Sequence, residues 1–393
     1  MSTSTQSSPS SPAQDSTFSI LHPDGPTPTL LDESFFEHDY PRDPDAFCSF
    51  AERLEHDAEA SRPYLRAGSP YPIHVVARWR SLDFPWLSPG SGSPAHRGVP
   101  PEMCSGAFVK EDANITITLT RPLQTGFCKW AQVWCANLRW CAPHEDATSN
   151  SESDRGAHVV VKIFQESAFR PPEYFDEDGI ESGYWRTGAK QARAEALAYV
   201  CMMSLQGREV PWSYGFFKVR LPHGELAYAH VMEFVDGKAG GLTRLRNCTS
   251  QDLWTVMDAM ASCLYAVIKC GVVQKDVTCE NIIIRPGAAQ PVVFVDFAAM
   301  QSLRSPSVGP VRDPELIEWD ISNDVASLIR AFRKMAVQMS DIAAWLEDRA
   351  HRGAPWTRLF AFLTEKMPRW YDLFAIETDE FIALNPEVEQ EAR

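Results

Sequence analysis

Four polar residues of this sequence are of types, and at spacings, that could carry out chemistry together. Asp276 and Asn281 lie five residues apart, between a long amphipathic stretch and a short apolar one. Asp296 ends a second apolar run fifteen residues after Asn281, and Lys162 interrupts an earlier run of β-branched residues. Phosphoryl transfer requires groups of these types. One carboxylate accepts a hydroxyl proton, an amide and a second carboxylate hold Mg²⁺, and a lysine holds the α- and β-phosphates.

Lys162 needs a carboxylate partner, because burying an unpaired ammonium in an apolar strand is costly. Glu195 is the candidate, since it lies in a helix-forming segment of alanine, leucine and tyrosine, 33 positions after the lysine. Other glutamates lie within that gap, so the residues alone leave the choice of partner open. They are Glu166, Glu173, Glu177 and Glu181.

Hydrophobic periodicity predicts the elements that must position these side chains. Strands are predicted at 73–79, 114–119, 131–138, 158–164, 227–234 and 292–300. Helices are predicted at 47–60, 189–207 and 251–271, and the pattern beyond residue 320 is helical. Small strands with one helix, followed by a helical region, form an α+β order with two lobes.

Charge and composition limit the partners and the compartment. The 52 acidic side chains outnumber the 37 basic ones, which leaves a formal charge of −15 and no broad cationic face for nucleic acid. No window approaches the roughly 18 apolar residues of a membrane span, and the polar first residues do not form a signal peptide. The ten cysteines show no metal-site spacing, as expected for reduced thiols. We therefore expect a cytoplasmic or nuclear protein without a nucleic-acid or membrane partner.

These motifs together resemble those of the protein-kinase-like superfamily over residues 110–335. The run at 159–162 resembles the VAIK strand, QKDVTCEN resembles the HRDxxxxN loop, and VDFA resembles DFG. Residues 231–235 are similar to the family's hinge, and residues 324–328 to the DVWSL start of the central helix of its larger lobe. The stretch 205–217 is also similar to kinase-like proteins of fungi.

The resemblance implies a fold and a division of the chain. The implied fold is α+β and bilobal, with a small β-rich N-lobe containing one helix at 110–235 and a shortened, mainly helical C-lobe at 236–393. Before these lobes we predict a disordered tail at 1–16 and an irregular N-terminal extension, of unknown role, at 17–109.

The resemblance also implies ATP and Mg²⁺ as cofactors and a role for each residue. Lys162 would hold phosphates and pair with Glu195, and Asp276 would be the catalytic base. Asn281 and Asp296 would be the metal ligands. Met232 would be the gatekeeper, with the main chain near Glu233 and Val235 holding the adenine. The residues implied to bind the nucleotide are Gly126, Val133, Val160, Lys162, Met232, Glu233, Val235 and Ile283.

The sequence departs from the family's pattern at several positions. In the phosphate loop only Gly126 is kept, and Cys128 and Ala131 occupy positions where glycine normally lets backbone amides approach phosphates closely. The other departures are Gln274 and Lys275 in place of His-Arg, Thr278 in place of a lysine usual in Ser/Thr kinases, and Ala298 in place of the last residue of DFG.

Three functions are compatible with this pattern. The leading prediction is an ATP- and Mg²⁺-dependent kinase that acts on Ser or Thr of a protein partner, because the four polar residues are all present. The altered phosphate loop favours instead a pseudokinase or scaffold module whose nucleotide site has decayed. The 28 positions from Asp296 to Asp324 are few for a protein kinase and favour a small-molecule kinase as a further alternative. The sequence specifies neither the substrate nor the oligomeric state.

Overall fold

A computed structural model of the chain describes residues 35, 44–66, 71–78, 97, 114–141, 157–169, 186–242, 245, 249–303 and 314–366. The tail predicted at 1–16 and much of the predicted extension lie outside these residues, as does the chain beyond residue 366. Helices and strands are mixed within the described residues, as the periodicity predicted.

The first part of the fold is a closed barrel of six antiparallel strands. Its strands, in the order in which they pair, are β1 (Tyr71–Arg78), β2 (Asn114–Gln124), β3 (Gln132–Cys141), β4 (Ala157–Phe164), β6 (Leu226–Glu233) and β5 (Ser213–Arg220). β5 pairs with β1 and so closes the circle. The predictions located five of these strands but did not indicate that the sheet closes.

Alternating apolar residues fill the barrel and leave the residues between them for the outer face. Val159, Val161 and Ile163 of β4 belong to the buried core of the barrel. Because successive side chains of a strand point to opposite faces, the intervening Lys162 lies on the outside. The helix α2 (Gly188–Cys201) packs against this outer face, where it contacts β4 and β6.

The second part of the fold is mainly helical. Its helices are α3 (Ser250–Lys269), α4 (Pro314–Lys334), α5 (Met339–His351) and α6 (Thr357–Lys366). The hydroxyl of Thr249 accepts the N–H of Asp252 and so caps the start of α3. Trp345 of α5 is fully buried, stacks on Trp356 with the ring centroids 4.6 Å apart, and donates its indole N–H to Asp258 of α3. These contacts fix α5 against α3.

Two small sheets position the segments that carry the polar residues. One contains β10 (Val292–Phe294), β9 (Ile282–Ile284) and β7 (Lys238–Ala239), and the other pairs β8 (Val272–Val273) with β11 (Gln301–Ser302). The strand predicted at 292–300 was wrong in length, since β10 ends at Phe294. Asp296 has a φ of 63°, a left-handed backbone that a strand cannot contain.

The N-terminal segment contains the helix and the strand predicted in it, and where it is described it is more regular than the predicted irregular extension. The helix α1 (Pro44–Arg66) is longer than predicted, and β1 supplies a strand of the barrel itself. Phe47 and Phe50 of α1 share one hydrophobic core with α2 and α3, together with Phe35. Composition alone did not indicate this, because the partners of these residues lie far away in the sequence.

None of the helices among the described residues combines the length and the apolar character needed to cross a membrane. The buried thiols of Cys135, Cys263 and Cys279 form no disulfide among the described residues.

The strand β1 offers a test of whether the N-terminal segment stabilises the barrel. Ile73 is 0% exposed in the barrel core, whereas Val76 on the same strand is 54% exposed. We expect Ile73→Ala to lower the free energy of unfolding by about 2–5 kcal/mol through lost burial and a cavity, and Val76→Ala by less than about 1 kcal/mol. Denaturant unfolding measures both. Equal, small losses would contradict a core position for β1.

Candidate functional site

Three segments that are distant in the sequence meet at the outer face of the barrel. Lys162 lies on β4, where its cross-strand neighbours are Val133 on β3 and His230 on β6. Glu195 comes from α2, and Asp296 comes from the loop after β10. The site therefore joins the barrel, its helix and the mainly helical part of the chain.

Two carboxylates bind the ammonium of Lys162. Its Nζ lies 2.5 Å from Oε2 of Glu195 and 2.6 Å from Oδ1 of Asp296. Lys162 and Glu195 are 3% and 0% exposed, whereas Asp296 is 32% exposed. Burial alone would lower the pKa of Lys162, but the two carboxylates raise it above its usual value. Burial alone would raise the pKa of Glu195, but Lys162 and His230 hold it below its usual value, so that both groups are ionised.

The structure selects Glu195 among the glutamates that the sequence left open. Glu166 instead accepts the N–H of Gly188 at 2.7 Å, at the start of α2. Glu173, Glu177 and Glu181 lie outside the described residues. The pair expected from the sequence is therefore formed, and the roles assigned to its members stay predictions.

Asp276 and Asn281 lie in contact within the segment before β9. Nδ2 of Asn281 donates to Oδ2 of Asp276 at 2.9 Å and to its backbone carbonyl at 3.0 Å. With the amide nitrogen engaged, Oδ1 is the atom of Asn281 that remains for a cation. Asp276 reaches solvent, but the loss of part of its hydration and then the charge of Asp296 raise its pKa, which makes it a stronger proton acceptor.

A buried aspartate on α4 holds this segment in place. The two carboxylate oxygens of Asp324 accept the N–H groups of Gln274 and Lys275 at 2.7 and 2.8 Å. These bonds stabilise the left-handed backbone of Lys275, whose φ is 63°. The ammonium of Lys275 lies 3.2 Å from Asp320, one turn earlier on α4. Burial raises the pKa of Asp324 to about 7, although the two N–H donors oppose this shift.

Gln274 connects the segment of Asp276 to the segment of Asp296. Its amide nitrogen donates to the carbonyls of Val295 and Asp296 at 2.9 and 3.0 Å. Oδ1 of Asp296 accepts the N–H of Ala298 at 3.3 Å. Ala298 does not have a positive φ, so alanine fits where the resemblance would have glycine. Gln274 therefore bonds the two segments together.

The predicted phosphate loop has positive φ angles, which favour glycine, at two positions, and only one of the two is a glycine. It lies between β2 and β3, where Gly126 has a φ of 118° and Cys128 a φ of 62°. The side-chain amide of Gln132 accepts the N–H of Gly126 at 2.8 Å and donates to its carbonyl at 2.9 Å. The exposed Cys128 thus adopts a conformation that favours glycine, and Gln132 holds the loop in shape.

The other residues implied to bind a nucleotide lie on the strands around Lys162 and in the segment after them. Val160 faces Met232 across β4 and β6, next to the pair formed by Val133 and Lys162. Glu233 is the last residue of β6, Val235 is buried two residues later, and Ile283 lies half-buried on β9. The outer face of the barrel therefore continues into the segment predicted to be a hinge.

Arg97 of the N-terminal segment anchors the end of β6, a contact that no pattern in the sequence indicates. Its guanidinium donates to both carboxylate oxygens of Glu233, at 2.5 and 3.1 Å. It also donates to the carbonyls of Arg208 and Val210, and the carbonyl of Arg97 accepts the indole N–H of Trp212. The N-terminal segment therefore fixes the carboxylate of one of the implied nucleotide-binding residues.

His230 is the second site residue that sequence reasoning missed. Nδ1 of its ring lies 3.2 Å from Oε1 of Glu195. Strand alternation could have indicated it, because His230 lies two positions before Met232 and must therefore share its face of β6. That rule places His230 on the outer face, but it does not indicate which residue of α2 it meets.

Asn281 and Asp296 are the residues that could hold a metal ion. Among the described residues there is no group of three or more His, Cys, Asp or Glu side chains with that capacity. A cation here would therefore need further oxygens from a ligand or from water, as Mg²⁺ commonly does.

Comparisons with known proteins do not assign the chain to a family. No family model matches the sequence, and no curated protein is similar enough to it to count as a relative.

The raised pKa of Asp324 predicts a pH dependence of stability. A native pKa of about 7 means that the folded state holds a proton that the unfolded state, at its ordinary value of 3.8, has already released. Stability should therefore fall as the pH rises from about 4 to about 7, and this contribution should level off above that range. Relative to Asp324→Asn, which cannot titrate, the wild type should lose stability across this window in denaturant unfolding. A difference between the two proteins that does not change with pH would contradict the raised pKa.

Proposed function

We propose that the chain is an ATP- and Mg²⁺-dependent phosphotransferase with a bilobal protein-kinase-like fold, which acts on Ser or Thr hydroxyls of proteins. The observation that carries this proposal is the convergence of Lys162, Glu195 and Asp296 from three separate segments, at distances of 2.5 and 2.6 Å. In this proposal the barrel with α2 is the N-lobe, and the small sheets with α3 to α6 form the C-lobe. The cleft between them contains the implied nucleotide-binding residues.

The side chains at the site are chemically suited to these cofactors. The amide oxygen of Asn281 and the carboxylate of Asp296 are hard oxygen donors of the kind that Mg²⁺ prefers. Lys162 supplies a cation that is already ionised and oriented, and Glu195 keeps it so. When bound, ATP would supply the phosphoryl group, and Mg²⁺ would neutralise part of the negative charge of the phosphates.

Asp276 is the proton acceptor in this proposal. Asn281 occupies Oδ2 of the carboxylate, which leaves Oδ1 for the hydroxyl of a substrate. The raised pKa of Asp276 favours proton transfer to it, since a stronger base takes the hydroxyl proton more readily. Asp324 and Gln274 keep Asp276 in place. Asp324 accepts the backbone N–H of Gln274, and the side chain of Gln274 donates to the carbonyl of Asp296.

A binding module without catalysis is the second candidate, and Cys128 is the observation that favours it. A side chain at this position of the loop, with a φ of 62°, limits how closely backbone amides can approach a phosphate. A chain with this loop and an intact Lys162 pair would be a scaffold that binds a partner but neither holds MgATP nor transfers a phosphoryl group.

Nucleotide binding separates the proposal from a scaffold with a decayed site. A ligand that binds only the native state stabilises it by about 2.7 kcal/mol at 100 times its Kd, so MgATP should raise the Tm of the wild type by several degrees. Asp296→Asn should abolish this rise, because the variant loses a charged metal ligand while it keeps the size of the side chain. Differential scanning fluorimetry measures the shifts.

The control is Glu347→Gln, which removes one exposed carboxylate from α5 and should leave the shift with MgATP unchanged. No shift in the wild type at millimolar MgATP would favour the scaffold.

Phosphotransfer tests Asp276 directly. With labelled ATP and a mixture of protein substrates, or with autophosphorylation, Asp276→Asn should reduce incorporation by about 10²- to 10⁴-fold, as expected for loss of a general base. The variant should retain the Tm shift with MgATP, because Asn281 and Asp296 are untouched. Equal incorporation in the two proteins would show that Asp276 is not the base.

A further inference from the structure

His230 lies on the outer face of the barrel, directly across from Lys162 on the neighbouring strand. The imidazole is fully buried. It stacks on Phe216 with the centroids 4.1 Å apart and an interplanar angle of 8°, and the ring of Tyr199 meets it edge-on at 4.6 Å. A polar ring enclosed in this way needs hydrogen-bond partners for its nitrogens within the protein.

Both nitrogens of His230 have such a partner. Nδ1 lies 3.2 Å from Oε1 of Glu195, and Nε2 lies 2.9 Å from Oγ of Ser213. An ionised carboxylate can only accept, so Nδ1–H donates to Glu195 and Nε2 accepts the hydroxyl proton of Ser213. Burial lowers the pKa of His230 in spite of the nearby Glu195, in agreement with a neutral ring in this tautomer.

The carboxylate of Glu195 is therefore held by donors on two adjacent strands. Lys162 on β4 binds Oε2, and His230 on β6 binds Oε1. Rotation of the carboxylate, or movement of α2 away from the barrel, would break one or both bonds without water to replace them. An unsatisfied buried polar group is costly, so the two donors oppose both movements.

A second buried connection returns from His230 to α2. Oε1 of Gln206 accepts the N–H of Ser213 at 3.0 Å, and Nε2 of Gln206 donates to the carbonyl of Tyr199 on α2 at 3.0 Å. Gln206 and Ser213 are buried, as is His230. The hydrogen bonds thus form a closed circuit from Glu195 through β6 and β5 back to the same helix.

We propose that His230 is a positioning residue, which together with Ser213 and Gln206 holds α2 against the barrel so that Glu195 pairs with Lys162 before any substrate binds. The kinetic consequence of this inference rests on the proposed phosphotransferase function, whereas its structural consequence does not.

Two substitutions separate the hydrogen bond from the bulk of the ring. His230→Phe keeps an aromatic ring for Phe216 to stack on but has no donor for Glu195. His230→Asn loses most of the ring but places an amide N–H near the position of Nδ1. If His230 acted only through packing, His230→Phe would disturb the position of α2 less than His230→Asn. If the hydrogen bond to Glu195 is what holds α2, His230→Asn disturbs it less than His230→Phe.

Amide hydrogen exchange of the full chain without nucleotide measures the position of α2 independently of any activity. We expect exchange in α2 to be at least about 10-fold faster in His230→Phe than in the wild type, and close to wild-type rates in His230→Asn. Unchanged exchange in His230→Phe would overturn the proposal, as would exchange in His230→Asn that is faster than in His230→Phe. If His230→Phe does not fold, His230→Gln replaces it, since its longer amide reaches the position of Nε2 and not that of Nδ1.

Kinetics then test the same inference on the proposed reaction. A displaced Glu195 should lower kcat for phosphotransfer by about 10- to 100-fold in His230→Phe with little change in the KM for ATP, and His230→Asn should recover most of it. A full kcat in His230→Phe would contradict the positioning role. If the wild type transfers no phosphate and binds no MgATP, the proposed function fails, and the exchange experiment still decides the role of His230.

Discussion

The rest of the site depends on one buried ammonium. Lys162 lies almost wholly out of water, where a cation persists only if anions replace its hydration. Glu195 and Asp296 supply them, one from the helix that packs on the barrel and one from the loop of the helical part. Because Lys162 has two carboxylate partners, the loss of one leaves the other to balance its charge, whereas the loss of Lys162 would leave the fully buried Glu195 without its cation, which is strongly destabilising. This requirement ties together three segments that have no local reason to meet.

Hydrogen bonds to the backbone hold two residues of the segments around the site in conformations that they would not adopt alone. Lys275 and Asp296 both have a φ of 63°, which costs energy for residues other than glycine. Asp324 stabilises the backbone at Lys275 by accepting the N–H groups of Gln274 and Lys275. The side chain of Gln274 stabilises the backbone at Asp296 by donating to its carbonyl. The strain on both sides of the site is thus compensated by two buried side chains from the helical part.

The sequence predicted much of the site because its parts lie in local patterns. Lys162 was found through strand periodicity, and Asp276, Asn281 and Asp296 through spacing within short segments. Two contacts were missed: the closure of the barrel by β1 and the contact of Arg97 with Glu233. Both join segments far apart in the chain, and such contacts produce no periodicity in the sequence. His230 was missed for a related reason, since its partner Glu195 lies 35 residues away on another element.

The closed barrel also explains how the fold handles its strand edges. Every described strand of the barrel has a neighbour on both sides, and β1 pairs with residues 116–119 of β2 and with residues 217–220 of β5. Departure of β1 would expose β2 and β5 at once, and both carry apolar residues of the core. Pairing of such edges between chains is a common start of aggregation. By pairing with both strands, β1 covers backbone groups through which separate copies of the chain could otherwise join.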